Sequence, residues 1–148
     1  MSDAHKGKYS SLAHSAGCGV IAVSARPVGI DMEFVRPRTY ERELARAVAT
    51  KREYAVLRSM SHVRNTYDLT TRAWVIKEAA RKVLRDPRPY HPRELCIESC
   101  CDTTCSVYDK KNDARMRVLI VYKDGAYVAV AEQHRNACPF AGITVSIA

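Results

Sequence analysis

Two segments near the start of the chain alternate in the way that β-strands do. The first, CGVIAVSA at residues 18–25, is rich in β-branched residues. The second, VGIDMEFV at residues 28–35, has an apolar residue at every other position. Its apolar face carries Val28, Ile30, Met32 and Phe34. The pattern predicts a half-buried strand whose other face holds Asp31 beside Glu33, two like charges that repel each other unless a cation lies between them.

The middle of the chain has the periodicity of helices. Thr39 is placed to cap a helix, and apolar positions at helical spacing continue to about residue 58, with a break expected near Thr50. A stronger helix is predicted over residues 67–84. Its apolar stripe consists of Leu69, Ala73, Ile76, Ala80, Val83 and Leu84. The segment DPRPYHP that follows predicts an irregular loop.

The last third of the chain alternates again. Residues 95–99 and 105–108 predict strands, and MRVLIVYKDGAYVAVAE predicts a hairpin that turns at residues 123–125. A short strand is expected at the end of the tail HRNACPFAGITVSIA. Helices grouped between strands, together with antiparallel hairpins, predict an α+β fold in which an antiparallel sheet packs against helices. With 148 residues, we expect one domain spanning residues 1–148.

The chain is strongly basic. It has 24 Lys and Arg against 16 Asp and Glu, a net charge of +8, which attracts phosphorylated cofactors, nucleic acids and acidic proteins. The arginines are spread from Arg26 to Arg135 without a dense basic tail, so we do not expect a nucleic-acid partner. Since no apolar run is long enough to span a membrane and the first residues do not resemble a signal peptide, we expect a cytoplasmic protein without a membrane partner.

Four of the six cysteines lie in the segment CIESCCDTTC. The segment contains no CxxC, and no histidine lies inside it or close after it, whereas a zinc site needs well-spaced thiolates or imidazoles. We therefore expect reduced cysteines that behave as small apolar side chains, rather than a zinc site.

One face of the predicted helix at residues 67–84 carries Trp74, Glu78 and Lys82 at intervals of four residues. An exposed Glu–Lys pair at this spacing commonly does no more than stabilise a helix by about 0.3 kcal/mol. A fully solvated face, however, seldom carries the only Trp of a chain. We therefore expect this side of the helix to be partly covered or to line a cleft, where a carboxylate and an ammonium group can act chemically.

Asp31 and Glu33 together with Glu78 would supply the oxygen ligands that Mg²⁺ prefers. Lys82 would then be a cation facing a phosphate. His14, in SSLAHSAG, lies among small polar residues before a strand, where a turn would be suited to a phosphate. Spacing alone does not bring Glu78 to the other carboxylates, and a Mg²⁺-dependent nuclease would use the same residue types. Nucleases usually place these residues on adjacent strands, however, whereas Glu78 and Lys82 are predicted on a helix.

The order of these motifs resembles the 4′-phosphopantetheinyl transferase superfamily. That family has a V-G-[IV]-D-x-E strand followed by W-x-x-K-E-[AS]-x-x-K on a helix. The chain has VGIDME at residues 28–33 and WVIKEAARK at residues 74–82. The S-H-S segment of the family appears as Ala13-His14-Ser15, upstream of both. Residues 50–59 and 127–146 resemble further family segments, so the similarity extends over most of the chain.

The resemblance implies a holo-acyl-carrier-protein synthase type of enzyme. Such enzymes move the 4′-phosphopantetheine arm of coenzyme A (CoA) onto a serine of an acyl or peptidyl carrier protein and release 3′,5′-ADP. The implied Mg²⁺ ligands are Asp31, Glu33 and Glu78. Glu78 would also take the proton of the carrier serine, and Lys82 would stabilise the charge of the pyrophosphate and of the departing ADP.

The resemblance also assigns a catalytic role to His14, which together with Ser15 would contact the phosphates of the nucleotide. The implied CoA-binding residues are therefore His14, Ser15, Asp31, Glu78 and Lys82. The basic surface suits both CoA and an acidic carrier protein. By charge alone, Arg36 and Arg38 are our candidates for docking the carrier protein.

The motifs are those of the surfactin-synthetase-activating enzymes, which are about twice as long and hold CoA between two similar halves. The chain resembles the second half, with a short segment before it that carries His14. We therefore predict a homo-oligomer, or pairing with another protein that supplies the missing surface. The alternative is a non-catalytic half-domain that binds CoA or a carrier protein and needs a partner subunit.

Overall fold

The computed structural model describes residues 8–60, 65–135 and 138–148. The strands in these residues are β1 (Tyr9–Ser15), β2 (Cys18–Ser24), β3 (Val28–Phe34), β4 (Leu95–Cys101), β5 (Thr104–Asp109), β6 (Ala114–Lys123), β7 (Ala126–Gln133) and β8 (Thr144–Ile147). The α-helices in the same residues are α1 (Glu41–Val48), α2 (Lys51–Arg58) and α3 (Thr66–Leu84), and a 3₁₀ turn (Pro92–Glu94) precedes β4.

The strands form two antiparallel sheets. β3, β7, β6, β5 and β4 form a five-stranded sheet in this order, and β1, β2 and β8 form a three-stranded sheet. The helices cover one face of the five-stranded sheet, where Ile76, Val118 and Ala129 belong to the main core. The three-stranded sheet packs on β3 and β7, with Val20 and Ile30 buried between the sheets. The predicted α+β fold, with antiparallel strands packed against helices, is confirmed.

β3 alternates as predicted, but it is not half-buried. Val28, Ile30 and Met32 belong to the core between the two sheets, and the opposite face of the strand lies against α3. A side-chain carbon at Gly29 would collide with the carbonyl oxygen of Ala79, so glycine is what allows α3 to lie this close. The sequence did not reveal that α3 packs on this face of β3. Alternation shows which residues share a face of a strand, but it does not show what packs on that face.

The helices before α3 follow the prediction with one error. α1 begins at Glu41, and the residue before it, Tyr40, makes no capping hydrogen bond, so the predicted cap at Thr39 is wrong. The predicted break near Thr50 is confirmed. Thr50 and Glu53 form a capping box in which each side chain accepts a hydrogen bond from the backbone N–H of the other residue, and this starts α2.

α3 begins at Thr66 and ends at Leu84, next to the predicted bounds. The face that carries Trp74, Glu78 and Lys82 is half-buried, which confirms that this side of the helix is partly covered. None of the described helices is both long and apolar enough to cross a membrane.

The segment that contains His14 forms a strand rather than a turn. β1 pairs with β2 along its whole length, and the turn between them lies at Ala16 and Gly17, which both have positive φ. Side chains alternate along β1, so His14 lies on the exposed outer face of the sheet while Ser15 faces inward and is buried. The expected phosphate-holding turn at His14 is therefore wrong, because pairing with β2 extends the backbone there.

β4 and β5 carry the cysteine cluster, and Cys100 forms a disulfide bond with Cys105. These residues lie opposite each other in the antiparallel pair, with a Cα–Cα distance of 4.1 Å. The expectation of reduced cysteines is wrong for this pair, because strand pairing brings together two thiols that motif spacing does not associate. The free cysteines of the described residues are Cys18, Cys96, Cys101 and Cys138.

Candidate active site

Lys82 connects the two sequence motifs. Its Nζ atom lies 3.0 Å from Asp31 Oδ1, which joins α3 to β3. The same Nζ atom donates to the carbonyl oxygens of Ile30 at 2.8 Å and Leu12 at 3.3 Å. Because Leu12 is in β1 and Ile30 is in β3, Lys82 also bridges edge strands of the two sheets.

β1 and β3 belong to different sheets, and near Lys82 they are joined by hydrogen bonds of side chains rather than by backbone pairing. Ser11 Oγ accepts a hydrogen bond of 3.0 Å from the backbone N–H of Ile30. Ser15 Oγ donates to Glu33 Oε2 at 3.0 Å. Glu33 and Ser15 therefore lie together at the border of the cluster that Lys82 forms with Asp31.

Asp31 is buried, with 8% of its surface exposed, and its Oδ2 atom has no hydrogen-bond partner. Burial raises the pKa of Asp31 from 3.8 to about 6, although the charge and the hydrogen bond of Lys82 oppose this increase. The negative charges of Glu78 and Glu33 raise it further. The three carboxylates are thus close enough to influence one another's ionisation.

The raised pKa of Asp31 predicts a pH-dependent stability. Because the folded protein binds this proton more tightly than the unfolded chain, the contribution of Asp31 to the free energy of unfolding is expected to fall by about 2 kcal/mol as the pH rises from about 4 to about 6. Urea unfolding without divalent cations, compared between the wild type and Asp31→Asn across this range, measures the effect. Equal pH slopes for the two proteins would contradict it.

Glu78 lies one turn before Lys82 on α3 and is half-buried. Its Oε2 atom lies 3.1 Å from Arg81 Nη2, and the Arg81 guanidinium lies 5.4 Å above the centre of the Tyr90 ring. Burial, together with the charge of Glu78, raises the pKa of Tyr90 far above its usual value, so its hydroxyl stays protonated. That hydroxyl and Arg81 Nε are buried without a hydrogen-bond partner.

Two clefts open on either side of Arg81. The basic cleft is lined by Ser10, Ser11, Leu12, Lys82, Arg85 and Asp86 in addition to Arg81. The aromatic cleft is lined by Trp74, Glu78, Arg88, Pro89, Tyr90 and Pro92 in addition to Arg81. Glu78 and Lys82 therefore line different clefts although they are one turn apart on α3. The basic cleft suits an anionic group, whereas the aromatic cleft offers ring and proline surfaces beside the charges of Glu78 and Arg88.

The donor set fits Mg²⁺, but the side chains do not converge as a formed metal centre. Carboxylate oxygens are the ligands that Mg²⁺ prefers, and Asp31 Oδ2 is a buried oxygen without a partner. Among the residues that the structure describes, no three His, Cys, Asp or Glu side chains are grouped so that they hold a metal ion. Glu33 accepts a hydrogen bond from Ser15. Glu78 is paired with Arg81, so both carboxylates would have to turn toward Asp31 to share an ion with it.

The predicted site residues fall into two groups. Asp31, Glu78 and Lys82 lie in one region, with Glu33 and Ser15 at its border. His14 lies apart from these contacts, on the outer face of β1, opposite Gly19 of β2. Its catalytic role and its contact with the phosphates of the nucleotide stay predictions.

Sequence reasoning missed the role of Lys77, which precedes Glu78 in the helix motif. Only 1% of Lys77 is exposed, and its Nζ atom lies 2.7 Å from Glu53 Oε1 and 2.8 Å from the carbonyl oxygen of Val48. The T-x-x-E capping pattern at residues 50–53 was a signal for the local role of Glu53. No local pattern indicates that Lys77 is its partner.

Sequence reasoning also missed Arg81 and Tyr90. Arg81 lies three residues after Glu78, a spacing that allows an ion pair on a helix. Tyr90 belongs to the proline-rich loop, and nothing in the sequence indicates that its ring lies beneath the Arg81 guanidinium.

The fold and the site define an α+β protein in which a helix carrying a carboxylate and a lysine packs on a strand carrying a buried carboxylate. A family model described as the 4'-phosphopantetheinyl transferase superfamily matches residues 27–131. The chain belongs to this superfamily. The matched range includes Asp31, Glu33, Glu78 and Lys82 and leaves out His14 and Ser15, which precede it.

A curated relative, the 4'-phosphopantetheinyl transferase HetI of Nostoc sp. strain PCC 7120, is 34% identical to the chain over 84 residues. The aligned segment covers 56% of this chain and 35% of the relative. The chain therefore spans only about a third of the length of the curated relative that it matches.

Proposed function

We propose that the protein transfers the 4′-phosphopantetheine arm of CoA to a serine of an acyl or peptidyl carrier protein, with Mg²⁺, and acts as one domain of residues 1–148. The observation that carries this proposal is the 3.0 Å contact between Lys82 and Asp31, because it joins the strand motif to the helix motif. Membership of the superfamily supports the same chemistry. HetI, a relative over part of the chain, is named as a transferase of this arm.

In the proposed reaction, the hydroxyl oxygen of the carrier serine attacks the phosphorus that bears the pantetheine arm. A bond forms between this oxygen and the phosphorus, the bond from the phosphorus to the bridging oxygen breaks, and 3′,5′-ADP leaves with the electron pair. Glu78 accepts the serine proton, since it is a half-buried carboxylate that lines a cleft. Lys82 stabilises the charge on the leaving pyrophosphate oxygen.

Asp31, Glu33 and Glu78 would hold the Mg²⁺ ion, which when bound neutralises charge on the pyrophosphate. Asp31 supports this assignment in two ways. Its Oδ2 atom is buried without a partner, and burial raises its pKa to about 6, a cost to the ionised form that a bound cation would offset.

The two clefts would divide CoA between them. The basic cleft, with Lys82 and Arg85, suits the pyrophosphate and the nucleotide, where His14 and Ser15 are the further proposed contacts. The aromatic cleft suits the uncharged pantetheine arm, which would pack against its ring and proline surfaces. Arg81 Nε and the Tyr90 hydroxyl are unpartnered donors in the residues that line this cleft, but both atoms are buried, so they would have to turn outward to reach an amide carbonyl of the arm.

The carrier protein would approach along α3 from the side of Arg38. Arg38 Nη1 donates to Thr71 Oγ1 at 3.3 Å, which places this cation about one helical turn from Trp74 of the aromatic cleft. The Arg38 side chain is only 13% exposed, and its Nη1 atom also lies 3.5 Å from Glu41 Oε2. Arg36 is exposed nearby in the chain and is therefore the better placed of the two cations to meet an acidic carrier protein. With CoA and a carrier protein as substrates, we place the reaction in the cytoplasm.

The second candidate is a non-catalytic half-domain that binds CoA or a carrier protein. The observation in its favour is the short alignment, which covers 35% of HetI, so the matched segment corresponds to only part of that relative. In this second candidate, a homo-oligomer would supply a further surface within one protein species, and a partner subunit would supply it from outside.

The direct test is intact-mass spectrometry of apo carrier proteins after incubation with the protein and CoA. We expect a pantetheine adduct that requires Mg²⁺ and is lost on addition of EDTA. Binding of CoA without any adduct, on a panel that includes carriers encoded near its own gene, would favour the half-domain. If neither an adduct nor binding of CoA is observed, the proposed function is wrong.

A further inference from the structure

Arg81 lies at the junction of the two clefts of the candidate site and lines both of them. Its Nη2 atom lies 3.1 Å from Glu78 Oε2, and its guanidinium lies over the ring of Tyr90. The Arg81 side chain is 34% exposed and that of Glu78 is 14% exposed, so water screens this ion pair less than it screens a pair on an open surface. Arg81 thus compensates the charge of Glu78 in the structure.

The ion pair with Arg81 competes with the role that the proposed function gives to Glu78. A carboxylate that holds a metal ion or accepts a proton must present an oxygen to that partner, whereas Glu78 Oε2 is in contact with a guanidinium. Asp31 keeps its Oδ2 atom buried and without a hydrogen-bond partner. The charge of Glu78 also acts on Asp31, so the two carboxylates are close in space. Separation of Arg81 from Glu78 would therefore free a second oxygen donor near Asp31.

The basic cleft offers a way to separate this pair. Among the described residues that line it, Arg81, Lys82 and Arg85 are cationic and Asp86 is the one carboxylate, so the cleft attracts anions. Arg81 Nε is buried without a hydrogen-bond partner, so the present position of the guanidinium leaves one of its donors unsatisfied. A phosphate group in this cleft would compete with Glu78 for the guanidinium, because guanidinium groups bind phosphate as well as carboxylate through charged hydrogen bonds.

We propose that Arg81 couples the binding of an anion in the basic cleft to the release of Glu78. Without the anion, Arg81 holds Glu78 and lowers the affinity of the site for a divalent cation. A phosphate group in the cleft takes up Arg81, and Glu78 is then free to turn toward Asp31. Arg81 is thus a positioning residue that acts through Glu78, and the inference rests on the proposed function for the identity of the anion, which is a phosphate of CoA.

Binding of Mn²⁺ to the purified full chain, without CoA or carrier protein, tests the hold of Arg81 on Glu78. Mn²⁺ takes the same oxygen ligands as Mg²⁺, and electron paramagnetic resonance measures the free ion. We expect Arg81→Met to bind Mn²⁺ about 5-fold more tightly than the wild type. The matched control is Arg85→Met, which removes a cation of the same cleft that donates to the carbonyl oxygen of Ser10, and it is expected to gain less than about 2-fold.

The Glu78→Gln background separates release of the carboxylate from a general loss of positive charge. In this background Arg81→Met has no carboxylate to release, so its gain in Mn²⁺ affinity is expected to fall to that of Arg85→Met. Equal gains from the two arginine variants, or a gain from Arg81→Met that persists with Glu78→Gln, would overturn the proposal. Absence of Mn²⁺ binding to all of these proteins would overturn it as well.

The second measurement adds 3′,5′-ADP, which carries phosphates but lacks the pantetheine arm. At saturating nucleotide, we expect the Mn²⁺ affinity of the wild type to rise about 5-fold more than that of Arg81→Met, because direct attraction between the phosphates and the ion is the same in both proteins. An equal rise in both would contradict the coupling. Arg81→Gln is the second variant and is expected to behave as Arg81→Met does, so that a folding defect of one variant, seen by circular dichroism, does not decide the outcome.

The coupling and the proposed transfer reaction can fail separately, since none of these measurements uses a carrier protein. A pantetheine adduct on a carrier together with uncoupled binding of Mn²⁺ and 3′,5′-ADP would overturn this inference and leave the transferase function standing. Coupled binding without an adduct on any carrier would support the role of Arg81 and contradict transfer alone.

Discussion

Glu78→Gln is expected to lower the rate of pantetheine transfer by about 10³-fold while the protein stays folded. Glutamine keeps the shape of the side chain and its place beside Arg81, but it cannot accept the proton of the carrier serine or supply a negative charge to Mg²⁺. Initial rates of adduct formation by intact mass, at saturating CoA and Mg²⁺, measure the loss.

The control for this variant is Glu43→Gln, which removes the same charge from an exposed residue of α1. We expect it to retain the wild-type rate. If Glu78→Gln transfers the arm at close to the wild-type rate, Glu78 is not the base, and the proton must leave by another route.

Lys77→Met is expected to lower the free energy of unfolding by about 3–5 kcal/mol, because it leaves the carboxylate of Glu53 buried without its cation. Burial alone would raise the pKa of Glu53. Hydrogen bonds from Lys77 and from the backbone N–H groups of Ile97 and Thr50 outweigh burial and hold this pKa below its usual value. The carboxylate is thus ionised in the folded protein and needs its partner. Urea unfolding at pH 7 measures the loss.

The double variant Lys77→Met with Glu53→Gln separates the cost of an unpaired charge from the loss of contacts. Glutamine can still accept the hydrogen bond from the N–H of Ile97 and carries no charge, so we expect the double variant to regain part of the lost stability. Lys51→Met, at an exposed lysine of α2, is the control and is expected to change stability by less than about 0.5 kcal/mol. Additive losses in the double variant would show that the ion pair is not the cause.

Much of the fold could be predicted from local patterns. The strands at residues 18–25 and 28–35, the helix at 67–84 and the start of α2 follow from side-chain periodicity and a capping box, which are properties of neighbouring residues. β1 was missed because YSSLAHS has too few apolar residues to alternate clearly, and it becomes a strand by pairing with β2. The prediction that Thr39 caps a helix was wrong for a similar reason. Which residue caps a helix depends on the backbone conformation with which the chain enters it, and the residue type alone does not determine this.

In the candidate site, too, some features follow from local sequence patterns and others depend on tertiary packing. Trp74, Glu78 and Lys82 share a helix face because of their spacing, and this part of the prediction needed no tertiary structure. The contact between Lys82 and Asp31 spans 51 residues and was not expected. The resemblance to a family implied only that both residues act at the pyrophosphate of CoA. No pattern along the chain relates Lys77 to Glu53 or Arg81 to Tyr90, because each pair is formed by packing of segments that are distant or irregular.

The sequence by itself determined the periodicities, the two motifs, the basic charge and the types of chemistry that these side chains can perform. The tertiary structure decided which lysine of the helix motif is buried and which faces a cleft, and what covers each face of β3. The physical reason is that burial and contact depend on elements far apart in the chain. The pKa of Asp31, raised by burial and opposed by Lys82, is a property of that packing and cannot be read from the residues around it.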